Sequence, residues 1–159
     1  MTPPYAVVDI DGVLADVSAR LHHIQGRRKD WEAFFAGIPD DPPHPEGIAA
    51  ARRLAADHDV VYLSGRPERT RTDTEAWLTR NGAPQGRVVL RHDGDRRPAR
   101  MVKLAVLRRL ARERPVAVLV DDDPAVCRAA RDAGFEVFEA KWSRAQPTLF
   151  DAQERLGET

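Results

Sequence analysis

Three things are scarce in this chain: cysteine, net charge and long apolar runs. The 159 residues include one cysteine, Cys127, which excludes an internal disulfide and a cysteine-based metal site. The formal net charge is zero, so no global field attracts nucleic acid or a membrane. No apolar run approaches the roughly 20 residues of a membrane span, and no signal-peptide pattern precedes the first predicted strand. We therefore expect no membrane association and a cytoplasmic location.

What is present is the composition of a globular domain, with 42% apolar and 31% charged residues. The length favours a single domain over residues 1–159. Short valine-rich segments alternate with helical patterns, which predicts an α/β, Rossmann-like three-layer sandwich with a central parallel sheet of about five strands. The predicted strands are Tyr5–Val8, Val60–Leu63, Val88–Leu90, Val116–Val120 and Glu136–Glu139. The predicted helices are Pro45–His58, Thr70–Asn81, Met101–Arg112, Pro124–Ala133 and Thr148–Leu156.

The end of the first predicted strand carries two aspartates, Asp9 and Asp11, followed by Gly12. Residues two apart in an extended chain lie on the same face, so the two carboxylates can point into one small volume. Close carboxylates repel each other unless a cation or a shared proton intervenes. The pair therefore indicates either a metal ion or acid/base chemistry, and the glycine permits a sharp turn directly after it.

The segment 16–43 interrupts the alternation of strands and helices. It is too long for a tight connection and too short for a domain. Because it directly follows the aspartate pair, we expect a small flap that leans over the site. Its aromatic residues Trp31, Phe34 and Phe35 are also typical of an anchor in the core, and the two interpretations are compatible.

Two other predicted strands end in residues that suit phosphate or metal. Ser64, Gly65 and Arg66 follow the second strand, where a hydroxyl, a loop N–H and a guanidinium can bind phosphate oxygens. Taken alone, this turn is more often an ordinary one.

Asp121 and Asp122 follow the fourth strand and, with Asp9, offer the hard oxygen ligands that Mg²⁺ prefers. The next residue, Asp123, is predicted to be the N-cap of a helix.

A basic stretch from Arg91 to Arg114 holds nine Lys or Arg against three Asp or Glu. It is equally compatible with a solvated helix face and with a rim that binds phosphates. Within it, Lys103 lies near the start of a predicted helix, where the helix dipole disfavours a cation. That local cost indicates a role for Lys103, such as neutralising Asp9 and a bound phosphate.

Together these residues resemble the four motifs of the haloacid dehalogenase-like (HAD) superfamily, over Val7 to Asp122. The resemblance implies aspartyl-phosphate chemistry that depends on Mg²⁺, with Asp9 as nucleophile and Asp11 as general acid/base. Ser64 and Lys103 would bind the phosphoryl group. Asp9, Asp121, Asp122 and the backbone carbonyl of Asp11 would hold the metal. A carboxylate at position 11 is typical of the phosphatases rather than the dehalogenases; Val13 departs from the usual Thr.

A closer resemblance is to the 3′-phosphatase domain of phage-type polynucleotide kinase/phosphatase. It rests on Asp-Gly-Val-Leu-Ala, Val-Val-Tyr-Leu-Ser-Gly-Arg-Pro-Glu, Thr-Glu-Ala-Trp-Leu and the double aspartate. The resemblance implies that Arg20 and Arg66 act on the substrate phosphate. The family has an acid where this chain has Ala99, and the sequence leaves open whether Asp93 or Asp95 replaces it.

The function that the resemblance implies is removal of a 3′-phosphate from polynucleotide ends, as in end healing during nucleic-acid repair. No Gly-x-x-x-x-Gly-Lys-Ser/Thr stretch occurs, so we expect any kinase or ligase to be a separate partner. The strand would track along residues 91–112, and Trp31, Phe34 or His22/His23 could stack on a base. A nucleotidase or another small-molecule phosphatase is the alternative, and a non-catalytic nucleic-acid-binding module is a third. The sequence leaves the oligomeric state open.

Overall fold

The predicted strands form one parallel sheet with the first strand at its centre. The structure is a computed structural model that describes residues 2–143 and 149–150. The strands run in the order β3-β2-β1-β4-β5, and all four pairings are parallel. Their bounds are Tyr5–Val8 (β1), Asp59–Pro67 (β2), Arg87–Arg91 (β3), Val116–Asp121 (β4) and Val137–Glu139 (β5). The predicted α/β, Rossmann-like fold is confirmed.

Both faces of the sheet are buried, as the valine-rich strands predicted. One face carries alternate residues such as Val7, Val61 and Leu119, which pack against two helices from the second half of the chain. The other face carries their neighbours, including Val8 and Val120, and packs against the remaining helices. This alternation follows from the two-residue period of a strand. It explains why these strands have few polar positions before their carboxyl ends.

Five α-helices complete the described chain, and four of them lie where the sequence predicted helices. Their bounds are Trp31–Ala36 (α1), Pro45–Ala55 (α2), Arg71–Arg80 (α3), Ala99–Glu113 (α4) and Pro124–Asp132 (α5). Asp123 caps α5 by accepting a hydrogen bond from the Ala125 amide, as predicted, and Cys127 is fully buried. The helix predicted at Thr148–Leu156 lies outside the described residues, apart from positions 149 and 150. No helix in the described part is long and apolar enough to cross a membrane.

The insertion, residues 16–43, contributes to the core. It contains the short helix α1 between two 3₁₀ segments, Ser18–Ile24 and Ile38–Asp40. Phe34 and Phe35 are buried and join the cluster on the β1 face that also holds Val8. The interpretation of its aromatic residues as an anchor is therefore confirmed. Apolar burial of this kind fixes the position of the insertion relative to the sheet.

Two element boundaries differ from the sequence prediction. Strand β2 continues to Pro67 because the chain shifts register after Leu63 and pairs again with β3 at Arg91. The predicted turn after Leu63 is thus an irregular part of the strand. Helix α4 begins at Ala99, two residues early, because the Pro98 carbonyl accepts the amides of Met101 and Val102.

Helix α2 packs very closely against the turn that follows β1. A Cβ atom at Gly47 would lie 1.8 Å from the carbonyl oxygen of Val13. The same oxygen accepts a hydrogen bond of 2.9 Å from the Trp142 indole nitrogen. Glycine is therefore required at position 47 for the helix to support the turn. Gly12, in that turn, adopts a positive φ of 82°, as its position after the aspartate pair predicted.

We predict that Gly47→Ala destabilises the protein by about 1–3 kcal/mol, the usual effect of overpacking. Helix propensity alone predicts the opposite sign, a gain of about 1 kcal/mol for Gly to Ala. Urea unfolding of the wild type and the variant measures the difference. Ala49→Gly, at an exposed position of the same helix, reports the propensity contribution by itself. Unchanged or increased stability of Gly47→Ala would show that the contact does not matter.

Candidate active site

The carboxyl ends of β1, β2 and β4 bring the predicted site residues together. Val8 pairs with Tyr62 on one side and with Val120 on the other. The next residue of β1, Asp9, donates its amide to the carbonyl oxygen of Val120. Aspartates that directly follow β1 and β4 are therefore neighbours. This edge is where ligands bind in open parallel sheets.

Three buried carboxylates and one lysine form the centre of the site. Carboxylate oxygens of Asp9, Asp121 and Asp122 all lie within 4.8 Å of one another. The Lys103 ammonium lies 3.0 Å from Asp9 and 2.7 Å from Asp121. Lys103 reaches them from the second turn of α4, where the helix starts beside the sheet edge. Two buried ion pairs thus hold Lys103 among the carboxylates.

The acidic cluster fits a divalent cation of the hard type. It offers oxygen donors only, which is the ligand set that Mg²⁺ prefers. Oδ1 of Asp122 is buried and has no hydrogen-bond partner among the described residues. A buried oxygen without a partner is costly, and a cation held by Asp9, Asp121 and Asp122 would satisfy it. The predicted contribution of the Asp11 backbone carbonyl stays a prediction.

Proximity shifts the pKa values of these groups. Burial, reinforced by the Asp121 charge, raises the pKa of Asp9 well above its usual value, against the lowering effect of Lys103. The same causes raise the pKa of Asp122 to about 7. Burial would lower the pKa of Lys103, but Asp121 and Asp9 outweigh it and raise that pKa. Lys103 is therefore a permanent cation.

Asp11 is held by guanidinium groups and not by the acidic cluster. Arg66 donates from Nε to both carboxylate oxygens, at 3.1 and 3.2 Å, and from Nη2 at 2.6 Å. Arg20 adds a longer contact of 3.4 Å, and Thr74 accepts the remaining Arg66 contact at 3.1 Å. Burial raises the pKa of Asp11, but Arg66 and Arg20 outweigh it, so the pKa lies below its usual value. The predicted pairing of Arg20 and Arg66 in one site is thus observed.

A further carboxylate in this arginine group was missed from the sequence. Asp41, at the end of the insertion, accepts two hydrogen bonds from Nε of Arg20 and one from Nη2. Burial raises its pKa to about 6, although Arg20 opposes the shift. The sequence of residues 39–43 predicts a turn, but its spacing does not indicate that the Asp41 side chain points inward.

The two candidates for the family acid at Ala99 bond to nearby arginines. Asp93 accepts a hydrogen bond from the Arg69 amide, and Asp95 pairs with Arg97 at 2.8 Å. Both lie in the connection before α4, where Asp93 is exposed and Asp95 half-buried, whereas the carboxylates that pair with Lys103 are those of Asp9 and Asp121. The carboxylate that contacts the buried arginines comes instead from the insertion.

The loop after Leu63 is fixed by its own hydrogen bonds. The buried Ser64 hydroxyl accepts the Arg66 amide at 3.1 Å, which leaves its proton available for another acceptor. The Gly65 carbonyl accepts a hydrogen bond of 3.4 Å from the buried Arg91 side chain. Ser64 and Gly65 thus lie beside Arg66 at the sheet edge, as predicted.

The basic stretch 91–114 does not form one rim. Arg91 is buried, and Lys103 belongs to the site. Helix α4 then runs away from the site to the opposite edge of the sheet, where Arg114 contacts Asp59 and the Pro3 carbonyl. The path of a nucleic-acid strand along residues 91–112 stays a prediction. Within the stretch, the segment before α4 and Lys103 in the second turn of α4 lie at the active edge.

The aromatic residues of the insertion are largely occupied by one another. Phe34 is buried, and its ring lies 4.2 Å from the guanidinium carbon of Arg20. Trp31 packs on Phe34 and Phe35 with ring centroids 5.6 and 5.8 Å apart. The prediction that Phe34 could stack on a base is therefore wrong. Of the candidates, His22 is exposed.

The fold is shared with solved hydrolases of the HAD type. A HAD-like hydrolase, SP0104 from Streptococcus pneumoniae, aligns with a TM-score of 0.62 and 15% identity, over 96% of this chain and 91% of that chain. The class C acid phosphatase from Bacillus anthracis aligns with a TM-score of 0.63 and 17% identity, over 87% and 67%. A chain of the Pnkp1/Rnl/Hen1 complex aligns with a TM-score of 0.74 and 20% identity. It covers 91% of this chain, which spans about half of the other, 47%.

These alignments define the class of protein as the HAD-like fold. Residues 3–143 match the family model described as the polynucleotide kinase PNKP phosphatase domain. Since the match covers most of the chain, the protein belongs to this family of HAD phosphatase domains. None of the curated proteins matches the chain at a significant level.

We predict that Mg²⁺ stabilises the wild type against unfolding and that Asp122→Asn removes most of this effect. A ligand present at 100 times its dissociation constant adds about 2.7 kcal/mol to the folded state. Thermal unfolding with increasing Mg²⁺ measures the gain. Asp132→Asn removes an exposed carboxylate from the end of α5 and is expected to behave like the wild type. An equal gain in Asp122→Asn would exclude Asp122 as a ligand.

We also predict that Mg²⁺ binding releases protons near pH 6 to 7. Burial raises the pKa of Asp122 to about 7 and also raises that of Asp9, so Asp122 is partly protonated in this range and must lose its proton to bind a cation. The apparent affinity is therefore expected to fall as the pH decreases below about 7. Calorimetry in two buffers of different ionisation enthalpy counts the released protons. Equal affinity at about pH 6 and pH 8 would contradict the prediction.

Proposed function

We propose that this protein is an Mg²⁺-dependent phosphomonoesterase that removes 3′-phosphates from polynucleotide ends through an aspartyl-phosphate on Asp9. The observation that carries the proposal is that Asp9 and Asp11 lie in different electrostatic environments. Asp9 lies beside Lys103 and the acidic pair of β4, whereas Asp11 lies against Arg66 and Arg20. Two carboxylates in different surroundings can take the roles of nucleophile and proton carrier.

In the first step, an oxygen of Asp9 attacks phosphorus in line, and the bond between phosphorus and the ester oxygen breaks. Asp11 gives its proton to the departing alcohol. Lys103, Arg66 and the Ser64 hydroxyl would stabilise the charge on the equatorial phosphoryl oxygens, since phosphoryl transfer depends mainly on positioning and electrostatics. A cation held by Asp9, Asp121 and Asp122 would supply Lewis-acid charge that reduces the repulsion between carboxylate and phosphate.

In the second step, Asp11 accepts a proton from water, and the water oxygen attacks phosphorus. The aspartyl bond breaks, inorganic phosphate leaves and Asp9 is restored.

Asp11 needs a proton before it can act as an acid, yet Arg66 and Arg20 keep its pKa low in this structure. A dianionic phosphate competes with Asp11 for the same guanidinium groups. Transfer of an arginine contact from Asp11 to the phosphate would raise the pKa of Asp11. Protonation of the acid would then accompany substrate binding.

The family and one structural neighbour support a polynucleotide as the substrate. The matching family model is that of a phosphatase domain of polynucleotide kinase. The Pnkp1/Rnl/Hen1 chain of similar fold belongs to an RNA repair complex. We propose that the nucleic-acid end enters at the active edge of the sheet and that a kinase and a ligase act beside this protein as partners.

Release of phosphate with Mg²⁺ from a matched panel tests the proposal. The panel contains 3′- and 5′-phosphorylated oligonucleotides, 3′- and 5′-mononucleotides and a sugar phosphate. We expect the highest kcat/KM for the 3′-phosphorylated oligonucleotide. Preference for a mononucleotide or the sugar phosphate would retain the mechanism and identify a small-molecule phosphatase. Absence of release from every substrate would overturn both.

Asp9→Asn serves as the matched control within the panel. It preserves the size of the side chain but removes the nucleophile, so we expect loss of turnover with a retained fold, measured by circular dichroism. Turnover near that of the wild type would reject Asp9 as the nucleophile.

A further inference from the structure

Asp41 is a buried carboxylate whose place in the site no motif explains. It is 6% exposed, and its backbone carbonyl accepts a hydrogen bond of 2.8 Å from the buried Trp77 indole. Its carboxylate faces two guanidinium groups. Nε of Arg20 lies 2.9 Å from Oδ1, and Nη2 of Arg66 lies 3.6 Å from Oδ2. The Asp41 carboxylate therefore contacts both arginines, with the closer contact to Arg20.

The two arginines divide between the two carboxylates. Arg66 makes its short contact, 2.6 Å, with Asp11. Arg20 makes its short contacts, two of 2.9 Å, with Asp41 and reaches Asp11 only at 3.4 Å. A bidentate pairing fixes the plane of a guanidinium as well as its position. The orientation of Arg20 is thus determined by Asp41.

Two further contacts complete the constraint on Arg20. Its Nη1 donates to the Phe34 carbonyl at 3.1 Å, and its guanidinium carbon lies 4.2 Å from the Phe34 ring centroid. Nε and Nη2 pair with Asp41 and Nη1 pairs with Phe34, so the part of the guanidinium that also reaches Asp11 is Nη2, at 3.4 Å. This is the side that faces the reacting groups under the proposed function.

We propose that Asp41 is a positioning residue that holds Arg20 for the phosphoryl group and prevents it from closing onto Asp11. The inference rests on the proposed phosphatase activity. Among the described residues, Asp11 is the other carboxylate that Arg20 contacts. Without the Asp41 charge, Arg20 would form a tighter pair with Asp11 and would be less available to a phosphate. Asp41 thus acts on the reaction through Arg20 and does not touch the substrate.

The test is a double-mutant cycle on kcat/KM with Asp41→Asn, Arg20→Met and the combined variant. Both p-nitrophenyl phosphate and the 3′-phosphorylated oligonucleotide serve as substrates. We expect Asp41→Asn to lower kcat/KM about 10- to 100-fold, the size of effect that displaced catalytic groups produce. In the Arg20→Met background, the same substitution is expected to change kcat/KM less than about twofold, since the residue that it positions is gone.

Asp40→Asn is the matched control, since it removes the neighbouring carboxylate, which is exposed, and it should leave kcat/KM unchanged. An effect of Asp41→Asn that is equally large with and without Arg20 would overturn the inference and indicate a purely structural residue. Full activity of Asp41→Asn would overturn it as well.

If Asp41→Asn does not fold, the test is the comparison of kcat/KM between Arg20→Met and the combined variant. Equal kcat/KM supports the inference, and a further large loss in a folded combined variant overturns it. An inactive wild type on both substrates would refute the proposed function instead, so the two failures are distinguishable.

Discussion

Charge burial at one edge of the sheet is the constraint on which the other features depend. In the described part of the chain, six aspartates and four basic residues are buried. When all are ionised, the aspartates exceed the cations by two negative charges. An isolated buried charge is strongly unfavourable, so each carboxylate needs a partner that arrives from another segment. A single divalent cation would balance the remainder.

This constraint accounts for several local departures from ordinary sequence preferences. The charged side chains of Lys103 in α4 and Arg66 at the end of β2 are buried, which is unusual for lysine and arginine. In the sequence, Arg91 belongs to a stretch that was interpreted as either solvated or phosphate-binding. In the structure, Arg91 is buried and donates a hydrogen bond to the Gly65 carbonyl, next to Ser64. Arg66 and Lys103 lie inside because the sheet edge concentrates negative charge there, whereas Arg91 donates to backbone carbonyl oxygens. The segments that supply them are thereby fixed around the aspartates.

The sequence predicted the residues at the centre of the site, but not the residues that surround them. Asp9, Asp121 and Lys103 lie on regular elements, so strand order and helix starts determine where they meet. Asp41 and the path of the basic stretch depend on irregular chain and on the direction of α4. A turn sequence such as Pro39–Pro43 fixes where the chain bends, but not which side chain points inward. The same limit left the roles of Asp93 and Asp95 open in the sequence; in the structure they pair with Arg69 and Arg97.

The ion pair between Arg20 and Asp41 joins the two ends of a loop. The ion pair closes this loop of 20 residues, and the buried side chains of Phe34 and Phe35 anchor the loop to the core. Loop length adds little to the free energy of closure. Exchange of the exposed residues 25–28 would leave this ion pair and the buried anchor in place. An enzyme engineer could therefore vary this part of the insertion without changing the residues of the site.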